Sequence, residues 1–273
     1  HTAAALGIRR LLEAYIRTDA GAARHCGAWG RTPLHWAASG GHDELAAWLM
    51  ARGAEAGAAD VFGCTALHAA AEMGHRTTVA LLAKHGANAH ARLKNGKSAM
   101  HLAAQAGHYG VVEELMRLEA RIDVFAATSL GLEGQVKKML GRDPFLAKAR
   151  LPYGATPLHV AAEDGQFKMA EFLVEQGAEI DVICATELGW EEQLVRLLAA
   201  SPGVIHARGG SFGHTALHAA TTRGNRPLAR LLLERGAEIN AKDRMFEKTA
   251  LGEALYFGNE AMARLLTEHG ARG

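Results

Sequence analysis

The sequence predicts an all-α solenoid built from repeated helix pairs, and three observations predict it. A four-residue block, Thr32-Pro33-Leu34-His35, returns as Thr65-Ala66-Leu67-His68 and Ser98-Ala99-Met100-His101, so it starts at 32, 65 and 98. It returns again as Thr156-Pro157-Leu158-His159 and Thr215-Ala216-Leu217-His218, and in decayed form as Thr249-Ala250-Leu251-Gly252. Every undecayed copy leads into a pair of alanines, then a glycine, then a second apolar-periodic run. Self-similarity at such a period marks stacked units, none of which can bury its apolar face alone.

The block opens the first helix of each pair. A Thr or Ser hydroxyl suits the N-cap, where it accepts from an orphan backbone N–H. Pro33 and Pro157 bring a preset φ and no N–H to waste. The Leu or Met that comes next is directed into the core. Alanine pairs such as Ala37-Ala38, Ala70-Ala71, Ala103-Ala104 and Ala161-Ala162 let a second helix pack close. Gly41, Gly74, Gly107, Gly165 and Gly224 end these helices, where a left-handed residue is needed. The second helix carries apolar residues at helical spacing, as in Leu45 with Leu49 and Val112 with Leu115. It closes on Gly-Ala at Gly53-Ala54, Gly86-Ala87, Gly177-Ala178, Gly236-Ala237 and Gly270-Ala271.

These residues resemble the ankyrin repeat. The resemblance rests on Gly30, Thr32-Pro33-Leu34-His35, Ala37-Ala38, Gly41-His42 and Gly53-Ala54, and on their copies along nearly the whole chain. It implies antiparallel helix pairs, a short β-hairpin finger at each junction, and protein recognition at the finger tips and on the concave side. It also implies that the tetrad histidines bridge backbone and hydroxyl groups between units.

Two intervals are stretched, His101 to His159 and His159 to His218, and each hides one shorter unit. One begins Asp123-Val124-Phe125-Ala126, the other Asp181-Val182-Ile183-Cys184, with the aspartate placed as N-cap. These short units keep both helices and lose the finger. The N-terminus, with Ala5-Leu6-Gly7 matching Ser129-Leu130-Gly131, reads as a third short unit entered inside its first helix. The expected organisation is one solenoid over 1–273, with units at about 1–27, 28–59, 60–92, 93–122, 123–150, 151–180, 181–209, 210–243 and 244–273. The last unit lacks its tetrad histidine and its turn glycine, which Glu247 replaces. Leu251, Leu255, Leu265 and Leu266 are expected to seat it on its neighbour.

Composition narrows the function classes. Thirty basic against 29 acidic residues leave a formal charge of +1, without the basic excess nucleic-acid binding calls for. No apolar run is long enough to span a bilayer. Cys26, Cys64 and Cys184 lie far apart, which reads as reduced thiols in a cytoplasmic setting. The chain begins at His1 without a Met and reads as a trimmed piece.

Chemistry finds little support. Of 15 histidines, five belong to the tetrads, and His42, His75 and His108 follow helix-ending glycines. No paired metal-ligand spacing stands out, so no metal, cofactor or catalytic residue is expected. Gly209-Gly210-Ser211-Phe212-Gly213 matches a nucleophile elbow in letters, but its place ahead of Thr215 is that of a turn. Cys26 beside His25 has no third partner in view.

The finger tips are the stronger signal. The tip position carries Trp29, Phe62, Asn95, Tyr153, Phe212 and Phe246, five of six aromatic in a chain with 16 aromatics. Arg31, Lys94, Lys97 and His214 flank it. Aromatic and cationic residues are what protein interfaces enrich. A second surface lies at the first-helix ends, among them Met73, Glu163, Asp164, Glu187, Arg223, Tyr256 and Phe257. The expected partner-binding set is Trp29, Arg31, Phe62, Met73, Lys94, Lys97, Tyr153, Glu163, Asp164, Phe212, His214 and Phe246. The expected function is a monomeric protein–protein interaction module, with a regulatory or targeting arm of a larger enzyme as the alternative.

Overall fold

A computed structural model describes residues 27–272. Among these residues the fold is all-helical: sixteen α-helices in pairs, three 3-10 turns and no strand. The first helix of each pair is short and apolar. These helices are α1 (Pro33–Ser39), α3 (Ala66–Glu72), α5 (Ala99–Gln105), α7 (Val124–Ser129), α9 (Pro157–Glu163), α11 (Val182–Glu187), α13 (Ala216–Thr222) and α15 (Ala250–Tyr256). The second helices are α2 (Asp43–Met50), α4 (Arg76–Lys84), α6 (Tyr109–Arg117), α8 (Glu133–Arg142), α10 (Phe167–Glu175), α12 (Glu191–Ala200), α14 (Arg226–Glu234) and α16 (Glu260–Glu268).

The described residues divide into two compact units that part between Ala126 and Ala127. In the first unit α1, α3 and α5 pack as one row, and α2, α4 and α6 as another. In the second unit α9, α11, α13 and α15 form the inner row, each against its own second helix. The inner rows close-pack because their facing positions are alanine: Ala37, Ala38, Ala70, Ala71, Ala161, Ala162, Ala219 and Ala220 are fully buried. Leucines from the second helices fill the space between rows, including Leu45, Leu49, Leu82 and Leu115, and Leu194, Leu228 and Leu232 in the second unit. Leu251, Leu265 and Leu266 are buried as expected. Leu255 is not: it is 62% exposed, on the outer side of α15.

Glycine at the helix ends has two reasons. Gly41 and Gly74 take φ values of +66° and +81°. A Cβ at Gly41 would also lie 2.5 Å from Nδ1 of His75, and one at Gly74 would lie 2.8 Å from Nδ1 of His108. The histidine after each glycine thus packs into the gap the previous glycine leaves. His75 Nε2 sits 3.0 Å from the Ser39 carbonyl. Gln166 does the same work beside Gly131, donating from Nε2 to Ser129 O at 2.5 Å. Among the described residues three non-glycine residues also stand left-handed, Trp29 at a turn tip, Glu119 at a helix end and Glu247 in the last turn.

The expected hairpin fingers are tight turns instead. Four are closed by single antiparallel bridges, Ala59 to Thr65, Arg92 to Ser98, Gly209 to His214 and Lys242 to Thr249. The chain reverses too soon for a ladder, and side chains take up the turn amides. Asp60 Oδ1 accepts from the amides of Phe62 and Cys64 at 2.8 and 2.9 Å. Asp243 accepts from Met245, Phe246 and Lys248. One backbone bond then joins each turn to the next where both exist: Val61 N to Trp29 O, Lys94 N to Phe62 O, and Arg244 N to Phe212 O. In the short units this turn is absent, and a single 3-10 turn, Pro144–Lys148 or Pro202–His206, comes after the second helix.

Candidate functional site

The tetrad histidines come first, because they hold the turns that carry the tips. Each closes a capping box with its Thr or Ser. The Thr32 amide donates to His35 Nδ1 at 3.1 Å, and the same bond recurs at Thr65, Ser98, Thr156 and Thr215. With Nδ1 accepting, the neutral ring keeps its proton on Nε2 and offers it across the junction. The receiver in a full unit is a backbone carbonyl. His35 meets Cys64 O at 2.8 Å, His68 meets Ala91 O at 3.1 Å, and His218 meets Lys248 O at 3.0 Å. Burial lowers the pKa of all three, that of His68 to about 4, with the carbonyl contacts opposing it.

Where the next unit is short, that turn and its carbonyl are missing. His101 Nε2 lies instead 3.1 Å from Asp123 Oδ1, and His159 Nε2 lies 3.0 Å from Asp181 Oδ2. The same aspartates cap the following helices: Asp123 Oδ1 accepts from Ala126 N, and Asp181 Oδ1 accepts from the amides of Ile183 and Cys184. Burial alone would raise these carboxyls. The contact with the histidine and the capping amide outweigh it, with Arg92 adding to the effect at Asp123, and both are held below the ordinary range.

The expected binding residues separate into displayed and consumed groups. Trp29 is 63% exposed, and Met73, Lys94 and Phe246 are exposed. Phe62, Tyr153 and Phe212 are half-buried. Phe212 packs on His214 and Phe246, with centroids 5.1 and 5.7 Å apart. Part of the aromatic row is therefore packed on itself. Arg31 pairs with buried Asp60 at 3.2 Å and lies over the Trp36 ring.

Three positions depart from the exposed row the sequence suggested. Asn95 is buried because its Oδ1 accepts the Lys97 amide inside the turn. Lys97 is 2% exposed, its ammonium donating to Gln105 Oε1 at 3.1 Å. His214 is buried, stacked on His218 and 3.2 Å from Glu253 Oε1. Burial would lower the His214 pKa, but the Glu253 contact, with Glu163 and Glu187 behind it, raises it.

The acidic spot at the helix ends is largely engaged within the fold. Glu187 is buried and takes Arg223 Nε at 2.6 Å, and burial raises its pKa against that pairing. Arg223 also donates to the carbonyls of Ala162 and Glu163. Glu163 Oε1 accepts the Ser211 amide at 2.6 Å, and Asp164 is half-buried at the helix end.

The Gly209–Gly213 segment is a turn, and Ser211 Oγ is fully buried within it, so the serine is not presented as a nucleophile. His25 and Cys26 lie outside the described residues, as does the expected first short unit up to residue 26.

Beyond the expected set, the end of α15 contributes most. Tyr256 is 72% and Phe257 63% exposed, their rings 5.2 Å apart edge to face. Lys248 Nζ sits 3.7 Å from the Tyr256 ring centre and 5.7 Å from that of Phe246. One cation thus ties a turn-tip aromatic to a helix-end aromatic. The sequence placed both kinds of position on candidate surfaces, but it offered no signal that Lys248 would join them. Tyr109, Phe145 and Phe167 are also exposed, on second helices and the 3-10 turn after α8, where no pattern had pointed.

Among known families, the model described as ankyrin repeats (3 copies) matches residues 1–93, 48–128, 89–184 and 182–273. No curated protein matches the chain. No helix among the described residues is long and apolar enough to cross a membrane.

Proposed function

The chain belongs to the ankyrin-repeat family, whose repeats are generally protein–protein interaction modules, and we propose that it binds a partner protein through its turn tips and first-helix ends. The observation that carries this reading is the surface formed by exposed Phe246, Tyr256 and Phe257 around half-buried Lys248 in the second unit. There the two kinds of position meet. In the first unit Trp29, Val61 and Met73 offer a similar apolar display. Aromatic rings held by neighbours before binding lose little freedom when a partner covers them, so their buried area converts well into affinity. Lys248 adds a cation held over a ring. That composition suits an apolar segment carrying an acidic residue.

The test is a capture from native lysate with the unmodified chain and with a Phe246→Ser, Tyr256→Ser, Phe257→Ser variant. Circular dichroism first establishes that the variant is folded. A protein retained by the unmodified chain and lost by the folded variant supports the reading. The same set retained by both excludes this surface and moves attention to Trp29, Val61 and Met73.

A further inference from the structure

The junction at α11 differs from the one at α7 in a side chain that can bind metal. Asp181 and Asp123 do the same work, but three residues on stands Cys184 in one and Ala126 in the other. His159, Asp181 and Cys184 each offer one donor atom, and the three atoms lie within 4.8 Å of one another. We propose that these residues form a binding site for a divalent, zinc-like metal ion, with His159 Nε2, a carboxylate oxygen of Asp181 and Sγ of Cys184 as ligands.

The donor set is the first argument. One imidazole, one carboxylate and one thiolate are the ligands zinc takes in tetrahedral sites, while hard cations such as magnesium select oxygen alone. The second argument is the state of the donors. His159 is buried, and Nε2 faces Asp181 Oδ2 without an aligned hydrogen bond. Asp181 is fixed through its other oxygen by the amides of Ile183 and Cys184.

The third argument is distance. Two ligands of a tetrahedral zinc, at about 2.0–2.1 Å each, stand about 3.3 Å apart. The 3.0 Å gap between His159 and Asp181 needs to open only slightly. The fourth is charge: the carboxylates of Asp181, Glu163 and Glu187 all act on Cys184, a field that favours a cation there. Asp181 is 40% exposed and gives a way in.

The proton count is definite. The Cys184 thiol gives up its proton to solvent as the sulfur–metal bond forms. In the neutral His159 ring the proton leaves Nε2 and is carried on Nδ1, which then donates to Thr156 Oγ1, 2.8 Å away, in place of accepting the Thr156 amide. That bond serves to orient the ligand from behind. Starting from the neutral ring, one proton is released per ion, so affinity falls as pH falls.

Cobalt(II) reports on this site directly. Titrated into the reduced full chain, it is expected to give a sulfur-to-cobalt charge-transfer band in the near ultraviolet and tetrahedral d–d bands, both displaced by zinc. Cys184→Ala places at this junction the residue that Ala126 supplies at the other, and it is expected to abolish the charge-transfer band. A band that survives the substitution assigns the thiolate to another cysteine and overturns the proposal, as does the absence of any band. A second measurement needs no variant. X-ray absorption of the zinc-loaded chain is expected to show one sulfur among lighter ligands, and a shell of nitrogen and oxygen alone overturns the assignment.

Discussion

Two kinds of junction recur in this protein, and the same histidine meets a different group in each. At His35, His68 and His218 the imidazole proton goes to a carbonyl of the next turn. At His101 and His159 it faces an aspartate that also caps the next helix. A carbonyl is fixed by the backbone and cannot titrate. A carboxylate is one side chain doing two jobs, so the short-unit junctions concentrate in one residue what the others spread over a turn. Where a finger is missing a specific replacement stands in for it, and both short units within the described residues carry the same one.

The largest expected effect breaks the carboxylate junction. Asp123→Ala removes the cap of α7, takes the carboxylate away from buried His101 and leaves Arg92 only its bond to the Gly96 carbonyl. We expect a loss of about 3 kcal/mol in a urea unfolding curve. Asp181→Ala should cost less, about 2 kcal/mol, because its side chain is more exposed. Equal and negligible losses in both variants would show that the aspartates merely occupy the gap.

Acid sharpens the comparison next. His68 has a folded pKa near 4 against an ordinary 6.5, so below pH 6.5 the unfolded chain binds the extra proton and the folded chain does not. That contribution to stability is full above pH 6.5 and declines between 6.5 and about 4, by about 3 kcal/mol in all. The aspartates have lowered pKa values, so their contribution is present above the ordinary carboxyl range and is lost only as pH falls further. The difference between Asp123→Ala and the unmodified chain should thus hold from pH 7 to 5 and shrink below 4. His214 has the opposite sign: its raised pKa means that its contribution is complete below 6.5 and lost as pH rises through the folded value.

Smaller effects test the helix ends and the surface. Glu119 holds a left-handed φ of +60° at the place where other second helices end in glycine. Glu119→Gly should raise stability by about 1 kcal/mol in the same assay. Tyr256→Ser with Phe257→Ser should move it by less than about 0.5 kcal/mol, since both rings are largely exposed. A larger loss would show that they pack as structure.

Most of the fold was legible because repetition multiplies weak signals. One Thr-x-Leu-His is a fragment; several in step, each with its alanines and glycine, define a helix pair and its period. The aspartate caps of the short units were legible for the same reason, as two copies at equivalent places. The site was legible less evenly. Tip positions could be aligned, but alignment says nothing of exposure, and Lys97 and His214 are buried through contacts that no period encodes. Leu255 reads as core by type and lies on the outer side of its helix.

The sequence by itself determined the helix pairs, their caps, the missing fingers and the family, because these rest on local backbone chemistry repeated along the chain. Tertiary structure alone decided which tips face solvent, that Lys248 links Phe246 to Tyr256, and that Cys184 comes within reach of His159. The physical reason is that contacts between units depend on where side chains of neighbouring repeats meet. A cap is set within four residues of chain, whereas His159 and Cys184 meet only after two units have packed.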